Sequence, residues 1–370
     1  MKLAKGCYNS CMVVVLVMIL IWVNADGVTG SAPQFPAMFV FGDSLVDHGN
    51  NNLLIGSFAK ANYLPYGIDF SGGPTGRFCN GKTIIDFLGD LVGLPPLPPY
   101  TITLIPGSNI HGGINFASAA AGILDETGRN LGDRFNFREQ VESFESSLSK
   151  LSNQMNEDDL IQYLARSLVV INIGSNDYIN NYLLPSIYST SSIYNSKDYT
   201  DLLIRTYTTH IMGLKKLGLR KFVLAAVGPL GCIPNQLASG LAPPGKCVSY
   251  VNSLVEMFNM KLRSLVDQLN KNHTSSLFVY GNTYGAFNEI LSKPSAYAFT
   301  QTDRGCCGIG QNRGQITCLP LAIPCFDRDK YVFWDAYHPT QAFNQIIAQK
   351  AYSGSPADCY PVNIQQMARL

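Results

Sequence analysis

Five short apolar runs constrain the fold of this chain more than any other feature of its sequence. They cover residues 37–41, 114–117, 167–173, 221–227 and 277–280. Gly42, Gly174 and the Gly228-Pro229 pair close three of them. None alternates with polar residues in the way a strand with one wet face does. A strand that is apolar at every position needs cover on both faces, and a parallel sheet between two helical layers provides it. The intervening segments have helical period. Residues 198–217 bring Tyr199, Leu202, Leu203, Tyr207, Ile211, Leu214 and Leu217 largely to one side, and residues 248–269 carry Val251, Leu254, Val255, Phe258, Leu262, Leu265, Val266 and Leu269. A last helix is expected over 340–352, with Pro339 just ahead of it. This alternation predicts an α/β protein, a three-layer α/β/α sandwich around a mostly parallel five-stranded sheet. The proline-rich stretch 94–100 reads as a loop, because the same pattern resumes after it. A single domain is expected over residues 26–370.

In open α/β sheets, ligands and reactions sit beyond the carboxyl ends of the strands. After the first run comes Gly42-Asp43-Ser44-Leu45, and after the second Ser118-Ala119-Ala120-Ala121-Gly122. The third is followed by Gly174-Ser175-Asn176-Asp177. Near the carboxyl end, Asp335-Ala336-Tyr337-His338-Pro339 follows the apolar residues 331–334. These residue types suit acyl transfer. A serine hydroxyl needs a base to take its proton. His338 can be that base, and Asp335, three residues away, can accept from Nδ1 and fix the tautomer. The oxyanion needs donors, and the Ser44 N–H, a loop N–H near Gly122 and the Asn176 amide supply three. Ser44 taken alone would also suit a turn or a helix N-cap. His48 is the rival base, four residues beyond Ser44, but Gly49 and three asparagines after it argue for a loop. Asp177 and Asp43 read as structural, and Arg77 as a buried ion-pair former. Gly42-x-Ser44 does not complete a Gly-x-Ser-x-Gly elbow, because Val46 stands at its last position.

Taken together, these blocks resemble the GDSL esterase/lipase family of the SGNH hydrolases, and in particular its large secreted plant branch. The likeness spans the chain after its amino-terminal segment, including Gly228-Pro-Leu-Gly-Cys232 and the Asp335-x-x-His338-Pro-Thr block. It implies a flavodoxin-like sheet and a nucleophilic Ser44 served by Asp335 and His338. It also implies an oxyanion hole of Ser44, a glycine and Asn176, with no metal and no organic cofactor. The second block departs from the family pattern, since alanines occupy 119–121. Gly122 is the expected donor, with Ala119, Ala120 and Ala121 as alternatives. The expected activity is hydrolysis of a small or polymer-bound carboxylic ester through an acyl-enzyme. An acyltransferase using the same residues and a non-catalytic apoplastic binding protein are the other readings.

Lys2 and Lys5, the apolar run 12–23 and a small residue at Ala25 predict a secretory signal peptide over residues 1–25. The run is short for a bilayer span, so no stable membrane anchor is expected after cleavage. Cleavage would leave eight cysteines, which in an exported chain read as disulfides. A local Cys232–Cys247 bridge is expected, and the cysteines between 306 and 325 are expected to staple an excursion. Zinc is the lesser reading there, because Cys306 and Cys307 are adjacent. Asn272, in Asn272-His273-Thr274, is a glycosylation acceptor sequon. The chain has 27 basic and 26 acidic residues. That balance provides no basic footprint for nucleic acid. The expected location is extracellular, in the apoplast or cell wall, and the default state is a monomer.

Overall fold

A computed structural model describes residues 32–370. The targeting segment read from residues 1–25 lies outside them. The strands are β1 (Met38–Gly42), β2 (Gly113–Asn115), β3 (Leu168–Asn172), β4 (Lys221–Ala225), β5 (Leu277–Gly281), β6 (Gln301–Gly305), β7 (Tyr331–Phe333) and β8 (Cys359–Tyr360). The main sheet runs in the order β2-β1-β3-β4-β5-β8. Its first five strands are mutually parallel, which is the expected sheet in flavodoxin-like order. A sixth strand, β8, adds an antiparallel edge beside β5. Its two residues were too few to carry a sequence signal. β7, the apolar run before Asp335, pairs instead with the polar β6 in a separate two-stranded sheet.

Strand residues of one parity face one core, and those of the other parity face a second. Phe39, Phe41, Val169, Ile171, Phe222 and Leu224 pack with the helices Phe137–Ser152, Ser196–Lys216 and Ser249–Asn272. Met38, Val40, Leu168, Val170, Val223 and Val279 pack with Ile84–Val92 and Gln341–Ser353. Both faces are therefore dry, as the lack of alternation in the sequence required. Asn195 caps the helix Ser196–Lys216 through the Asp198 N–H. Thr340 caps Gln341–Ser353 through Phe343, so that helix starts three residues after His338.

A third, smaller cluster lies under the carboxyl-terminal loop and includes Tyr66, Phe78, Trp334, Cys306 and Cys318. Disulfides join Cys232 to Cys247, Cys306 to Cys325 and Cys307 to Cys318. The last two staple the excursion between β6 and β7. Cys79 and Cys359 depart from the expectation of full pairing: both are buried thiols. Each gives its S–H to a backbone carbonyl, Cys79 to Gly81 and Cys359 to Ala351. Among the described residues, no helix is long and apolar enough to cross a membrane.

Candidate active site

Order 2-1-3 places the reversal of chain winding between β1 and β3, and Ser44 lies two residues past the end of β1. Gly42 makes the turn fit. A Cβ there would stand 2.4 Å from the Asn172 carbonyl oxygen and 2.5 Å from Val46 Cγ2. Gln140 holds the same residue from the helix side, accepting from the Gly42 N–H and donating to its carbonyl, both at 2.8 Å. The Asp43 carboxylate accepts from the Leu45 N–H at 3.0 Å and tightens the turn that displays Ser44. Its other oxygen is buried without a partner among the described residues. Burial is the main reason its pKa is pushed up to about 7.

His338 reaches Ser44 across 294 residues of sequence, with Nε2 2.8 Å from Oγ. Nδ1 lies 2.9 Å from both Asp335 carboxylate oxygens. With Nδ1 facing a carboxylate, the ring carries its proton there and Nε2 accepts from the serine. Asp335 is fully buried. Burial works against its charge. The nearby His338, its ring N–H, the Tyr66 hydroxyl and the Tyr337 N–H outweigh that penalty and hold the pKa below the ordinary value. Oδ1 also accepts from the backbone N–H groups of Tyr337 and His338, each at 2.8 Å. The loop is closed by the Trp334 N–H donating to the His338 carbonyl at 2.7 Å. The Phe78 ring packs against the imidazole at 5.0 Å.

His48 is elsewhere. It is buried beside Thr83, with Nε2 2.9 Å from Oγ1, and desolvation lowers its pKa to about 4. A carboxylate does lie 3.6 Å away, but Arg77 binds that Asp86 through two hydrogen bonds of 2.8 and 2.7 Å. Arg77 is thus the ion-pair former expected.

Two buried aspartates hold the 118–127 loop. Asp47 accepts from the Ala119 N–H at 3.1 Å. Asp177 accepts from the Ile123 and Leu124 N–H groups and from the Thr127 hydroxyl, at 2.8, 3.1 and 2.7 Å. Burial raises both pKa values to about 6 against these donors. With both ends anchored, Ala120 lines the cleft with a left-handed φ of 66°. The Ala119 and Ala121 N–H groups are taken, by Asp47 and Asn51 and by the Ser118 carbonyl. Gly122, the residue favoured from the sequence, is not part of the cleft wall. A Cβ on it would meet Thr127 at 2.3 Å and Asp177 at 2.7 Å, so it packs into the anchoring of the loop. Among the described residues, neither the Ser44 nor the Ala120 N–H donates to a protein group. Asn176 does line the cleft. Its Nδ2 donates to the Ala121 carbonyl at 2.9 Å, and its Oδ1 accepts from Asn180 at 2.7 Å. That pair of bonds fixes the amide with the NH2 on the loop side and leaves one N–H spare.

The cleft around these groups has a volume of about 650 Å³. Leu183, Ile187, Leu230, Ile233 and Ile316 give it apolar walls. Such a space suits a small organic molecule held by a few polar groups. Tyr66 and Thr317, both in contact with Asp335, carried no sequence signal, since neither lies near a strand end or in a recognisable spacing.

Residues 38–351 match the family model described as GDSL-like Lipase/Acylhydrolase. Three relatives from Arabidopsis thaliana are similar over nearly the whole chain. GDSL esterase/lipase At5g08460 is 56% identical over 98% of this chain and 96% of its own. GDSL esterase/lipase At1g71250 is 51% identical over 100% and 98%. GDSL esterase/lipase 7 is 48% identical over 98% and 100%. With the parallel sheet, the serine beyond β1 and the histidine that meets it all in place, the chain belongs to the GDSL lipase/acylhydrolase family.

Proposed function

We propose that this protein hydrolyses carboxylic esters through an acyl-enzyme on Ser44. The observation that carries the reading is the continuous line from Ser44 Oγ through the His338 ring to the buried Asp335 carboxylate. In the first half-reaction His338 Nε2 takes the hydroxyl proton as Oγ attacks the ester carbonyl. Asp335 stays ionised and stabilises the imidazolium. The tetrahedral oxyanion is met by the N–H groups of Ser44 and Ala120 and by the spare Asn176 N–H. Among the loop residues considered with Gly122, Ala120 is the one that lines the cleft with an N–H left unclaimed. The imidazolium then gives its proton to the departing alkoxide, and the C–O bond to the alcohol breaks. In the second half-reaction water loses a proton to His338, attacks the acyl carbon and releases the acid. Oγ recovers its proton from the ring.

The names of the relatives favour an ester, and the apolar cleft walls favour an acyl group over a charged one. We further propose that residues 1–25 are a signal peptide and that 26–370 act as one domain. The protein is then exported as a monomer. Three disulfides support an oxidising destination, outside the cell. Asn272 is exposed at the end of its helix, where a glycan could be attached.

The test is Ser44→Ala on a short-chain aryl ester, with a fluorophosphonate probe on both proteins. Loss of turnover and of labelling, with an unchanged thermal midpoint, is the expected result. Undiminished hydrolysis by the variant would overturn the assignment.

A further inference from the structure

We infer that Tyr66 is a positioning residue for the reaction, acting through Asp335. This rests on the reading of Asp335 and His338 as the charge pair of a hydrolase. The Tyr66 hydroxyl lies 2.5 Å from Asp335 Oδ2 and is buried with it. The two residues are 269 apart in sequence, so the contact exists only in the folded chain. Oδ1 is already met by two backbone N–H groups and the ring. Oδ2 has the ring, Tyr66 and a longer bond of 3.3 Å from the Thr317 hydroxyl. The phenol is therefore the strongest donor to Oδ2 outside the histidine.

The phenol is itself fixed on several sides. Its ring packs edge-on against Tyr63, Phe78 and Trp334 at 5.3, 5.9 and 6.2 Å. Thr317 stands next to Cys318, whose bridge to Cys307 staples the excursion. The Tyr63 hydroxyl donates to the Cys318 carbonyl at 3.0 Å, and the Leu321 N–H to the Leu64 carbonyl at 2.8 Å. The stapled excursion and the 61–67 loop are thus joined on either side of the Tyr66–Asp335 contact. Hydrogen bonds to charged acceptors are the short, strong ones. This one draws negative charge toward the phenol and holds the carboxylate plane facing Nδ1.

Removing the phenol oxygen has a definite sign. The carboxylate charge becomes more concentrated, which favours the protonated ring. The buried acid, short of a donor, also keeps a proton to higher pH. Both effects delay the active state, an ionised carboxylate beside a neutral ring. The other titratable groups facing this pair are Asp43 beyond β1, Tyr63, Cys79 in the 76–82 loop and Tyr337. They are the same in both proteins and do not change the difference between them.

The experiment is kcat/KM against pH for Tyr66→Phe, with Ser44→Ala run alongside. The ring and its packing are retained. We expect kcat to fall about tenfold, the order of one hydrogen bond to a charged group, with KM little changed. The acid limb should move up by about one pH unit. An acid limb that stays in place overturns the role of Tyr66, whether or not the rate falls, because a structural loss lowers the rate equally at every pH. If Tyr66→Phe does not fold, 3-fluorotyrosine placed at position 66 decides. Its more acidic phenol should move the limb down, and an unmoved limb overturns the proposal. Inactive Ser44→Ala beside an unshifted Tyr66 variant would reject this inference alone. Active Ser44→Ala would reject the hydrolase reading beneath it.

Discussion

Replacing Asp335 by asparagine keeps the size of the side chain and changes one oxygen into an NH2 group. The structure dictates which way the new amide must face. Oδ1 accepts from the Tyr337 and His338 backbone N–H groups, each at 2.8 Å. An NH2 placed there would set donor against donor, twice, in a fully buried site. The amide oxygen therefore takes the Oδ1 position and the NH2 takes that of Oδ2, 2.9 Å from His338 Nδ1. It donates to the ring there, and the amide oxygen, also 2.9 Å from Nδ1 but already accepting two backbone N–H groups, is the weaker claimant on the ring proton, so Nδ1 loses it. The proton moves to Nε2, which then donates to Ser44 Oγ where before it accepted. The serine has lost its base, although every heavy atom is in place. A tautomer inverted in this way costs about 10⁴ in kcat. That corresponds to about 5.5 kcal/mol of transition-state stabilisation. Initial rates on a short-chain aryl ester measure it, and a thermal midpoint confirms folding. Activity within tenfold of the wild type would refute the argument, since it would mean that the carboxylate does not set the tautomer.

Two more outcomes follow from neighbouring groups. Asn176→Ala removes one of the three proposed oxyanion donors from a cleft that keeps its shape. A fall of about 10² to 10³ in kcat is expected, with KM changed only a few-fold. Steady-state kinetics decide this, and a change confined to KM would contradict it. Asp43, pushed up to about 7, binds a proton more tightly in the folded chain than in the unfolded one. Its contribution to stability is whole below the ordinary value of 3.8 and is lost as pH rises toward 7. The stability of the wild type relative to Asp43→Asn should therefore decline from pH 4 to 7.5. Urea midpoints across that range test this, and a constant difference would refute it.

Much of the site could be read from the sequence because its signals are local. Ser44, Asn176 and the Asp335–His338 pair each lie just past an apolar run, and strand ends are where such sheets carry chemistry. The spacing of Asp335 and His338 is that of one turn, so their meeting is a property of a few adjacent residues. What escaped was decided by partners far away. The sequence left Gly122, Ala119, Ala120 and Ala121 open as loop donors, and of these Ala119 and Ala120 line the cleft, with only the Ala120 N–H left unclaimed, in a loop that Asp47 and Asp177 anchor. Cys79 and Cys359 stay reduced although an even count suggested pairing. The apolar run before Asp335 pairs with the polar β6, which has no apolar signature.

By itself the sequence determined the layers, the parallel sheet and the kinds of group displayed at its edge. Periodicity, glycine closure and helix caps act over a handful of residues and need nothing from the rest of the chain. Only the tertiary structure decided which of those groups touch. The packing of the segment after β7 against the end of β1 brings a hydroxyl and an imidazole 294 residues apart to within 2.8 Å. A stapled excursion sets a tyrosine and a threonine behind the carboxylate. Such contacts are fixed by packing and strand order, and no local pattern in the chain encodes them.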